Sequence, residues 1–353
     1  MDTNTMDLAD LGWSAHFQSQ LDLTDMETAT PVRVLAVHRG AFDVAGPAFA
    51  GLIQTTTVRQ AEGEARITIG DWLLLDQASS RPVRLLERKS LFKRKEPGTG
   101  RNLQLIAANV DTLLIVSSCN QDFNLARLER YLALAREAEV QPIVLLTKAD
   151  LVEEPAAYAT QAAKLLPGLL VECLDARSAD DVARLRPWCA RGQTVALLGS
   201  SGVGKSTLVN TLVGDAVQAT GRIREDDDKG RHTTTGRALR HLPTGGWLLD
   251  TPGMRELQLT GSASGLDDVF AEIVTIAGDC RFTDCRHLTE PGCAVLAAID
   301  RGELESDRLR RYRKLVSENA RNEATLAERR AHDRAFGVMV KSIMKSKRLR
   351  NEG

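Results

Sequence analysis

The sequence predicts an α/β multidomain protein with a small β-barrel, a domain built on a mostly parallel sheet, and a helical C-terminal part. Three patterns support this order. Short β-like runs separated by turn residues fill positions 31–101, and strand and helix patterns alternate from 110 to 250. Beyond residue 261 the β pattern stops, and helical patterns surround a cluster of cysteines and one histidine. The predicted divisions are 1–29, 30–101, 102–261 and 262–353.

The composition is that of a folded globular protein and excludes several classes. The chain has 353 residues, of which 43% are hydrophobic and 26% charged, so disordered, collagen-like and coiled-coil chains are excluded. No run of 18 apolar residues occurs, which excludes a membrane-spanning helix. The first 30 residues carry no Lys or Arg, which a secretory or mitochondrial leader requires. We therefore expect a cytoplasmic protein without a membrane partner.

The formal net charge of −1 conceals two basic blocks. Residues 81–101 carry eight basic and two acidic side chains, and residues 321–353 carry nine basic and four acidic ones. Such blocks fit a polyanionic partner. Solvated surfaces or a fraying tail explain either block equally well.

In the N-terminal part, residues 1–29 are expected to form a mobile acidic extension. Strands are predicted over 32–37, 52–58, 66–75 and 83–91, with turn residues between them. Strands at this spacing are typical of a small closed or nearly closed barrel. The basic stretch 93–101, which contains Gly and Pro, is predicted to be a linker.

In the central part, buried strands are predicted over 112–117, 142–147, 170–174, 195–198, 238–242 and 246–249. Helices are predicted over 125–137, 155–166 and 180–189, and from 205 onward. This alternation indicates a mostly parallel sheet covered by helices on both faces.

A glycine-rich segment directly follows one of these strands and precedes a helix. It fits the phosphate-loop pattern G-x-x-x-x-G-K-[ST] and comprises Gly199, Ser200, Ser201, Gly202, Val203, Gly204, Lys205, Ser206 and Thr207. The glycines let backbone amides surround phosphates, and the helix N-terminus adds a favourable dipole. Lys205 is expected to reach the β- and γ-phosphates, and the Ser206 hydroxyl to bind Mg²⁺. The alternative is a glycine-rich turn with a solvated lysine.

Two later segments are expected to complete the contacts to magnesium and the γ-phosphate. Asp250 ends an apolar strand and can hold the Mg²⁺ shell, and the Gly253 amide can meet the γ-phosphate. Thr234 or Thr235 can complete the shell, which would make the loop 230–235 a nucleotide-dependent switch. Taken alone, the segment around Asp250 is also a good turn, and the threonines fit the start of a β-branched strand.

Residues at the ends of two other predicted strands favour a guanine base. In the segment Thr147, Lys148, Ala149, Asp150, the aspartate can accept hydrogen bonds from guanine N1 and N2, which adenine does not offer. The Lys148 stem can lie along the base, and the Ala176 amide can donate to guanine O6. The segment alone is a weak signal, because Lys-x-Asp at a strand end is also ordinary surface. It becomes informative because the phosphate-loop segment and the Asp250 segment occur in the same chain.

The C-terminal part contains a possible metal site. Cys280, Cys285, His287 and Cys293 lie close together in the sequence. Three thiolates and one imidazole make a closed tetrahedral zinc site, which is structural because no position stays open for chemistry. Coincidental thiols or a disulfide are the alternative.

Together these segments resemble the circularly permuted ribosome-assembly GTPases of the RsgA (YjeQ) family. The guanine segment precedes the phosphate loop, which reverses the usual GTPase order. The resemblance implies an N-terminal OB-fold β-barrel, a central circularly permuted P-loop GTPase domain and a C-terminal zinc-binding α-helical domain. It also implies hydrolysis of GTP to GDP, stimulated by the small ribosomal subunit and its rRNA during late maturation. The expected cofactors are Mg²⁺ with GTP and one structural zinc, and the expected state is a monomer.

Three positions depart from the usual GTPase pattern. Thr147 stands where Asn is usual, so one amide contact to the base is missing or replaced. Asp175 stands where Ser is common, which weakens the assignment of Ala176. Met254 occupies the place of a water-orienting Gln, so catalysis needs another group. The resemblance implies that His232 is this catalytic residue.

Two other functions fit the same motifs. A nucleotide-sensing adaptor would bind RNA or a protein partner without needing hydrolysis, and a phosphate-loop ATPase would accept ATP in place of GTP. Hydrolysis assays with and without small subunits distinguish the adaptor, and competition between GTP and ATP distinguishes the ATPase.

Overall fold

The computed structural model describes residues 6–54, 58–60, 63–95, 103–214, 237–250 and 264–323. Its contacts divide the chain into two compact units. The first comprises Met1–Arg94 and Leu105–Leu257, so it includes both the β-rich N-terminal part and the α/β part. The second comprises Lys95–Gln104 and Gln258–Gly353.

The β-rich part is built around one long strand, β1. Its elements are α1 (Ala15–Gln18), α2 (Leu23–Thr28), β1 (Ala29–His38), β2 (Ala41–Ala45), β3 (Ala50–Gln54), β4 (Val58–Gln60), β5 (Gly63–Ala65), β6 (Trp72–Asp76), β7 (Pro82–Leu85), β8 (Leu91–Lys95) and β9 (Leu103–Ala108). β1 pairs antiparallel with β2 and β6, which continue to β3 and β7. The side chains that these strands bury form one apolar cluster of Val32, Val34, Phe42, Val44, Ile53, Leu73, Leu75 and Leu85.

Several predicted strands of this part are interrupted in the structure. The run predicted over 66–75 pairs as a strand only from Trp72 to Asp76 because Gly70 turns the chain with a φ of +85°. No side chain fits at this turn, since a Cβ on Gly70 would lie 2.1 Å from the Ala108 carbonyl oxygen. The strand predicted over 83–91 is two strands, β7 and β8, and the predicted linker begins inside β8. β9, which pairs with β8, has no counterpart among the sequence-based predictions.

The central part has the alternating strands and helices that the sequence predicts. Its elements are β10 (Thr112–Ser118), α3 (Leu125–Glu137), β11 (Gln141–Thr147), α4 (Pro155–Ala163), β12 (Leu170–Cys173), α5 (Ala179–Ala183), β13 (Thr194–Leu198), α6 (Lys205–Val213), β14 (Arg237–His241) and β15 (Trp247–Asp250). The strands β12, β11, β10, β13 and β15 are parallel in that order, and β14 runs antiparallel beside β15. The helix predicted over 180–189 stops early and is followed by a 3₁₀ turn, because Pro187 has no N–H to donate.

The β-rich part and the α/β part share a continuous sheet. β1 pairs antiparallel with β14 at Ala36–Ala238 and Val37–Arg237. The edge of the parallel sheet is therefore covered by a strand of the β-rich part, which leaves no open edge at this position for another chain to pair with.

Residues 6–28 are folded, and the prediction of a mobile extension is wrong for them. Phe17 is fully buried, and its ring centroid lies 5.7 Å from that of Trp72 in the β-rich part. Three acidic side chains of this segment form ion pairs: Asp7 and Asp10 bind Arg191, which precedes β13, and Asp25 binds Arg84 of β7. The segment therefore contacts both parts of the first unit.

A fully buried arginine joins the same two parts. The Arg33 guanidinium donates to the Leu11 carbonyl oxygen at 2.7 Å and to the Asn109 carbonyl oxygen at 3.2 Å. It also donates to the hydroxyl of Thr194, the first residue of β13, at 2.8 Å. Burial lowers the pKa of Arg33 to about 10, with the Asp111 charge opposing the shift, so the side chain stays charged at neutral pH.

The second unit is helical. Its helices are α7 (Ser264–Val269), α8 (Ala271–Ala277), α9 (Ala294–Asp300) and α10 (Ser306–Glu323). Arg308 of α10 lies 4.3 Å from the ring centroid of Phe270 and binds Glu272 at 2.7 Å, which joins α10 to α8. Among the described residues of both units, no helix combines the length and the apolar character that crossing a membrane requires.

We predict that Arg33→Met destabilises the first unit by about 3 kcal/mol or more, because each buried polar group left without a partner costs about 1–3 kcal/mol. Urea unfolding followed by circular dichroism measures the change. The matched control is Arg39→Met, at an exposed arginine just after β1, which we expect to change stability by less than about 0.5 kcal/mol. Equal stability of the two variants would contradict the bridging role of Arg33.

Candidate functional site

The parallel strands bring the predicted motifs to one edge of the sheet. Successive strands β10, β11 and β12 are added in one direction, whereas β13 and β15 lie on the other side of β10. The strand order therefore reverses between β10 and β13. In open α/β sheets, ligands bind at such a reversal, outside the carboxyl ends of the strands. The guanine segment follows β11, and the phosphate loop follows β13, at this edge.

The phosphate loop has a backbone shape that glycine permits. Gly202 and Gly204 have φ angles of +77° and +91°, a region that other residues rarely adopt. A Cβ on Gly199 would lie 2.3 Å from the Val116 carbonyl oxygen, so the close approach of the loop to β10 excludes a side chain. α6 begins directly after the loop at Lys205, so its first amides face the site.

Two cations lie against this loop. The Lys205 ammonium donates to the Ser200 carbonyl oxygen. The Arg127 guanidinium, from the first turn of α3, donates to the Ser200 hydroxyl at 2.8 Å. The phosphate-loop motif predicts Lys205, but no local signal in the sequence predicts Arg127, because it lies 73 positions from Ser200 in the chain.

Thr147 joins the guanine segment to the phosphate loop. Its hydroxyl lies 2.6 Å from the Val203 carbonyl oxygen and 3.0 Å from the Ser117 carbonyl oxygen. The residue is fully buried. This hydroxyl therefore binds backbone groups of the loop and of β10, which is a different contact from the amide contact to the base expected of Asn.

A cavity of about 190 Å³ opens beside the guanine segment. Its lining consists of Thr147, Lys148, Asp150, Leu151, Asp175, Ala176, Arg177, Gly204 and Thr207. It is smaller than the roughly 300–1,000 Å³ pockets that hold a whole drug-sized ligand, so it suits one planar part of a ligand. The Thr211 hydroxyl of α6 donates to the Ala176 carbonyl oxygen at 2.7 Å, which joins the chain after β12 to the helix that follows the phosphate loop.

Arg177 also lines this cavity and is not among the site residues predicted from the sequence. Its guanidinium binds the Asp150 carboxylate at 2.7 Å and the Asp175 carboxylate at 3.0 Å. The side-chain hydrogen bond from Arg177 lowers the pKa of Asp175. The one signal for it in the sequence is its position directly after Ala176, the residue whose amide is predicted to bind guanine O6.

Four of the predicted site residues lie outside the described part of the chain, namely His232, Thr234, Thr235 and Gly253. Asp250 is the last residue of β15, and its backbone pairs with that of Ala238 in β14. Its position therefore lies at the same sheet edge as the phosphate loop.

The cysteine and histidine cluster lies in the second unit, between α8 and α9. The ligand atoms of its four residues all lie within 4.8 Å of one another, and the residues are Cys280, Cys285, His287 and Cys293. The Sγ of Cys280 lies 3.7 Å from the Nδ1 of His287 and 3.9 Å from the Sγ of Cys293. All three thiols are free, so the disulfide alternative is not what the structure contains. Burial lowers the pKa of His287 and favours the neutral imidazole, the form that binds metals.

The basic block at 81–101 is partly neutralised within the fold. Three of its cations bind carboxylates at 2.5, 2.7 and 2.8 Å, in the pairs Arg84–Asp25, Arg88–Asp71 and Lys89–Asp111. The net charge of the sequence block therefore overstates the charge that it offers to a polyanion.

The fold and the site define a protein of the phosphate-loop nucleotide-binding class in which the segment predicted to bind the base precedes the phosphate loop. Residues 85–260 match the family model of the RsgA GTPase. The chain is 49% identical to the small ribosomal subunit biogenesis GTPase RsgA 2 of Vibrio parahaemolyticus serotype O3:K6, over 98% of this chain and 95% of that protein. It is 51% identical to the small ribosomal subunit biogenesis GTPase RsgA of Mesorhizobium japonicum, over 89% and 90% respectively.

Two solved structures are similar to this one. YloQ, described as a circularly permuted GTPase, matches with a TM-score of 0.59 and 25% identity over 84% of this chain and 96% of that chain. YjeQ from Thermotoga maritima has the same fold, with a TM-score of 0.58 and 22% identity over 83% and 99%. The chain belongs to the RsgA family, and it is therefore a GTP-hydrolysing enzyme of ribosome biogenesis.

We predict that Thr147→Val weakens GDP binding about tenfold, because the variant keeps the shape of the side chain but leaves the Val203 carbonyl without its donor. Titration with a fluorescent GDP derivative measures the dissociation constant. The control is Thr160→Val on α4, where an exposed hydroxyl donates only to the Ala156 carbonyl of its own helix. If both variants bound GDP like the wild type, Thr147 would have no role in holding the loop.

Proposed function

We propose that this GTPase binds the small ribosomal subunit through its rRNA and hydrolyses GTP to GDP and phosphate late in subunit maturation. Hydrolysis then acts as the switch that releases the protein. Both relatives described above carry the name of a small ribosomal subunit biogenesis GTPase. The observation that carries the proposal is the 2.6 Å contact between the Thr147 hydroxyl and the Val203 carbonyl, because it links the two segments that we assign to one nucleotide.

In this proposal the segment from Gly199 to Thr207 holds the phosphates. Lys205 exchanges its present acceptor, the Ser200 carbonyl, for the β- and γ-phosphates. Mg²⁺ bound with the nucleotide would supply positive charge beside the phosphate oxygens. The residues proposed to complete the magnesium and γ-phosphate contacts are Ser206, Thr234, Thr235, Asp250 and Gly253.

The cavity beside the phosphate loop is proposed to hold the guanine. Asp150 accepts hydrogen bonds from N1 and N2 of the base, the Ala176 amide donates to O6, and the stem of Lys148 lies along the ring. Three observations support this assignment: the size of the cavity, its position at the reversal of strand order, and the carboxylate in its wall.

Several parts of the chain are proposed to contact rRNA. We assign the β-rich part as an OB-fold barrel, supported by its antiparallel pairing around β1 and its single apolar cluster. The helical unit and the basic tail 321–353 would add further contacts, and phosphate neutralisation would make binding salt-dependent. We propose that the protein works as a monomer in the cytoplasm.

The cluster in the second unit is proposed to hold one structural zinc. A tetrahedral ion with Zn–S bonds of about 2.3 Å separates its ligand atoms by about 3.7 Å. The distances among Cys280, His287 and Cys293 range from 3.4 to 3.9 Å and match that separation. Together with Cys285 these residues fill all four positions of the ion, so its role would be to hold the loop between α8 and α9.

We predict that His232→Ala lowers subunit-stimulated hydrolysis about a hundredfold and leaves GTP affinity within about twofold, since general-base and water-orienting groups contribute at least about 10²-fold to rate. Single-turnover assays with and without small subunits test this. His38→Ala, at the exposed end of β1, is the control. Unchanged stimulated turnover in the His232 variant would exclude this residue as the catalytic group.

The same assay tests the function itself. Hydrolysis by the wild type that small subunits do not accelerate would contradict the proposed partner, and the adaptor would become the better explanation. Displacement of bound GDP by ATP as efficiently as by GTP would contradict the assignment of a guanine site.

We predict that the purified protein contains one equivalent of zinc, and that Cys285→Ser lowers the zinc content and the melting temperature of the helical unit, because a structural metal contributes directly to folding. Metal analysis by mass spectrometry and thermal unfolding measure both effects. Cys173→Ser, at a half-buried free thiol in the first unit, is the control and should retain zinc. Full zinc content in the Cys285 variant would contradict the proposed ligand set.

A further inference from the structure

Arg177 stands at the mouth of the base cavity between two carboxylates. Its Nη2 donates to Asp150 Oδ2 at 2.7 Å and to Asp175 Oδ2 at 3.1 Å. Its Nε donates to Asp175 Oδ1 at 3.0 Å, and its backbone N–H donates to the same oxygen at 2.9 Å. The guanidinium therefore bridges the two base-recognition segments, one after β11 and the other after β12.

The Arg177 guanidinium offsets the repulsion between the Asp150 and Asp175 carboxylates. Asp150 and Asp175 both line the cavity, and two like charges that face the same space repel each other. A carboxylate only accepts hydrogen bonds, so Asp175 cannot donate to Asp150 as a serine hydroxyl at that position would. Arg177 supplies both the compensating charge and the missing donor. Its bonds to Asp175 hold it beside the cavity although its side chain is 67% exposed.

We infer that Arg177 is a specificity-determining positioning residue, which holds the Asp150 carboxylate in the orientation that accepts N1–H and N2–H of guanine. This inference rests on the guanine site proposed above. An ionised carboxylate has about four lone-pair sites, so Asp150 accepts from the arginine and from the base at the same time. Asp175, which binds the arginine through both of its oxygens, acts as the support of this arrangement.

The alternative is that Arg177 competes with the base for the Asp150 carboxylate. This alternative predicts the opposite change in nucleotide affinity. The guanidinium of arginine presents the same N–C–N donor pattern as the Watson–Crick edge of guanine. If Arg177 competed with the base for Asp150, its removal would tighten binding. Two features favour positioning over competition. The bonds to Asp175 hold the guanidinium beside the cavity, and the Asp150 carboxylate has acceptor sites left for the base.

The test compares nucleotide affinities of the full-length wild type, Arg177→Ala and Arg177→Lys. Displacement of a fluorescent GDP derivative by GDP and by IDP, which lacks the 2-amino group, gives both dissociation constants. We expect Arg177→Ala to weaken GDP binding about tenfold, the effect of losing one charge-assisted hydrogen bond. IDP binding should weaken less, because IDP has one donor fewer to misalign, so the preference for GDP over IDP should shrink. Arg177→Lys should be intermediate, since lysine keeps the charge but not the planar bridge.

The matched control is Arg136→Ala, an exposed arginine in the last turn of α3 that does not line the cavity. Melting curves verify that each variant is folded. Wild-type affinity and an unchanged preference for GDP in Arg177→Ala would overturn the inference, and tighter GDP binding would replace it with competition. Absence of GDP binding in the wild type would instead refute the guanine site itself, so the two failures are distinguishable.

Discussion

One short hydrogen bond joins the two segments that form the proposed nucleotide site. The Thr147 hydroxyl, at the end of β11, lies 2.6 Å from the carbonyl of Val203, which is 56 residues away in the phosphate loop. The bond is possible because both residues lie at the carboxyl edge of one parallel sheet. Loops at this edge can be neighbours in space whatever their order along the chain. Because this hydroxyl lies against backbone carbonyls, the proposed recognition of the base rests on Asp150 and the groups around it.

β13, the strand that precedes the phosphate loop, is also hydrogen-bonded to the β-rich part. Arg33 of β1 reaches the Thr194 hydroxyl at the start of β13, and the N-terminal segment supplies one of its other acceptors, the Leu11 carbonyl. A buried guanidinium is costly unless its charge is offset and acceptors meet its donors, and here Nη1 and Nη2 have acceptors from three segments. The β-rich part, the N-terminal segment and the phosphate-loop strand must therefore come together in one arrangement.

Many charged side chains of this protein form ion pairs within the fold. The acidic N-terminal segment and the basic stretch after β6 look like separate charged regions in the sequence, but Asp25 binds Arg84 in the structure. Similarly, Asp175 departs from the common GTPase pattern, yet the structure pairs it with Arg177, whose other donor reaches Asp150. Counting charges along a chain cannot separate paired from free groups, because pairing depends on which side chains meet in the folded structure.

The sequence by itself determined the elements whose signals are local. Period and turn residues located α3 at Leu125–Glu137 and the phosphate loop before α6, and ligand spacing located the cysteine cluster. Only the tertiary structure decided that residues 6–28 are folded, that Gly70 interrupts a strand, and that Arg177 bridges two carboxylates. Motifs and periodicity express interactions within a few residues. Burial, close backbone approach and ion pairing depend on segments that meet only after the chain has folded.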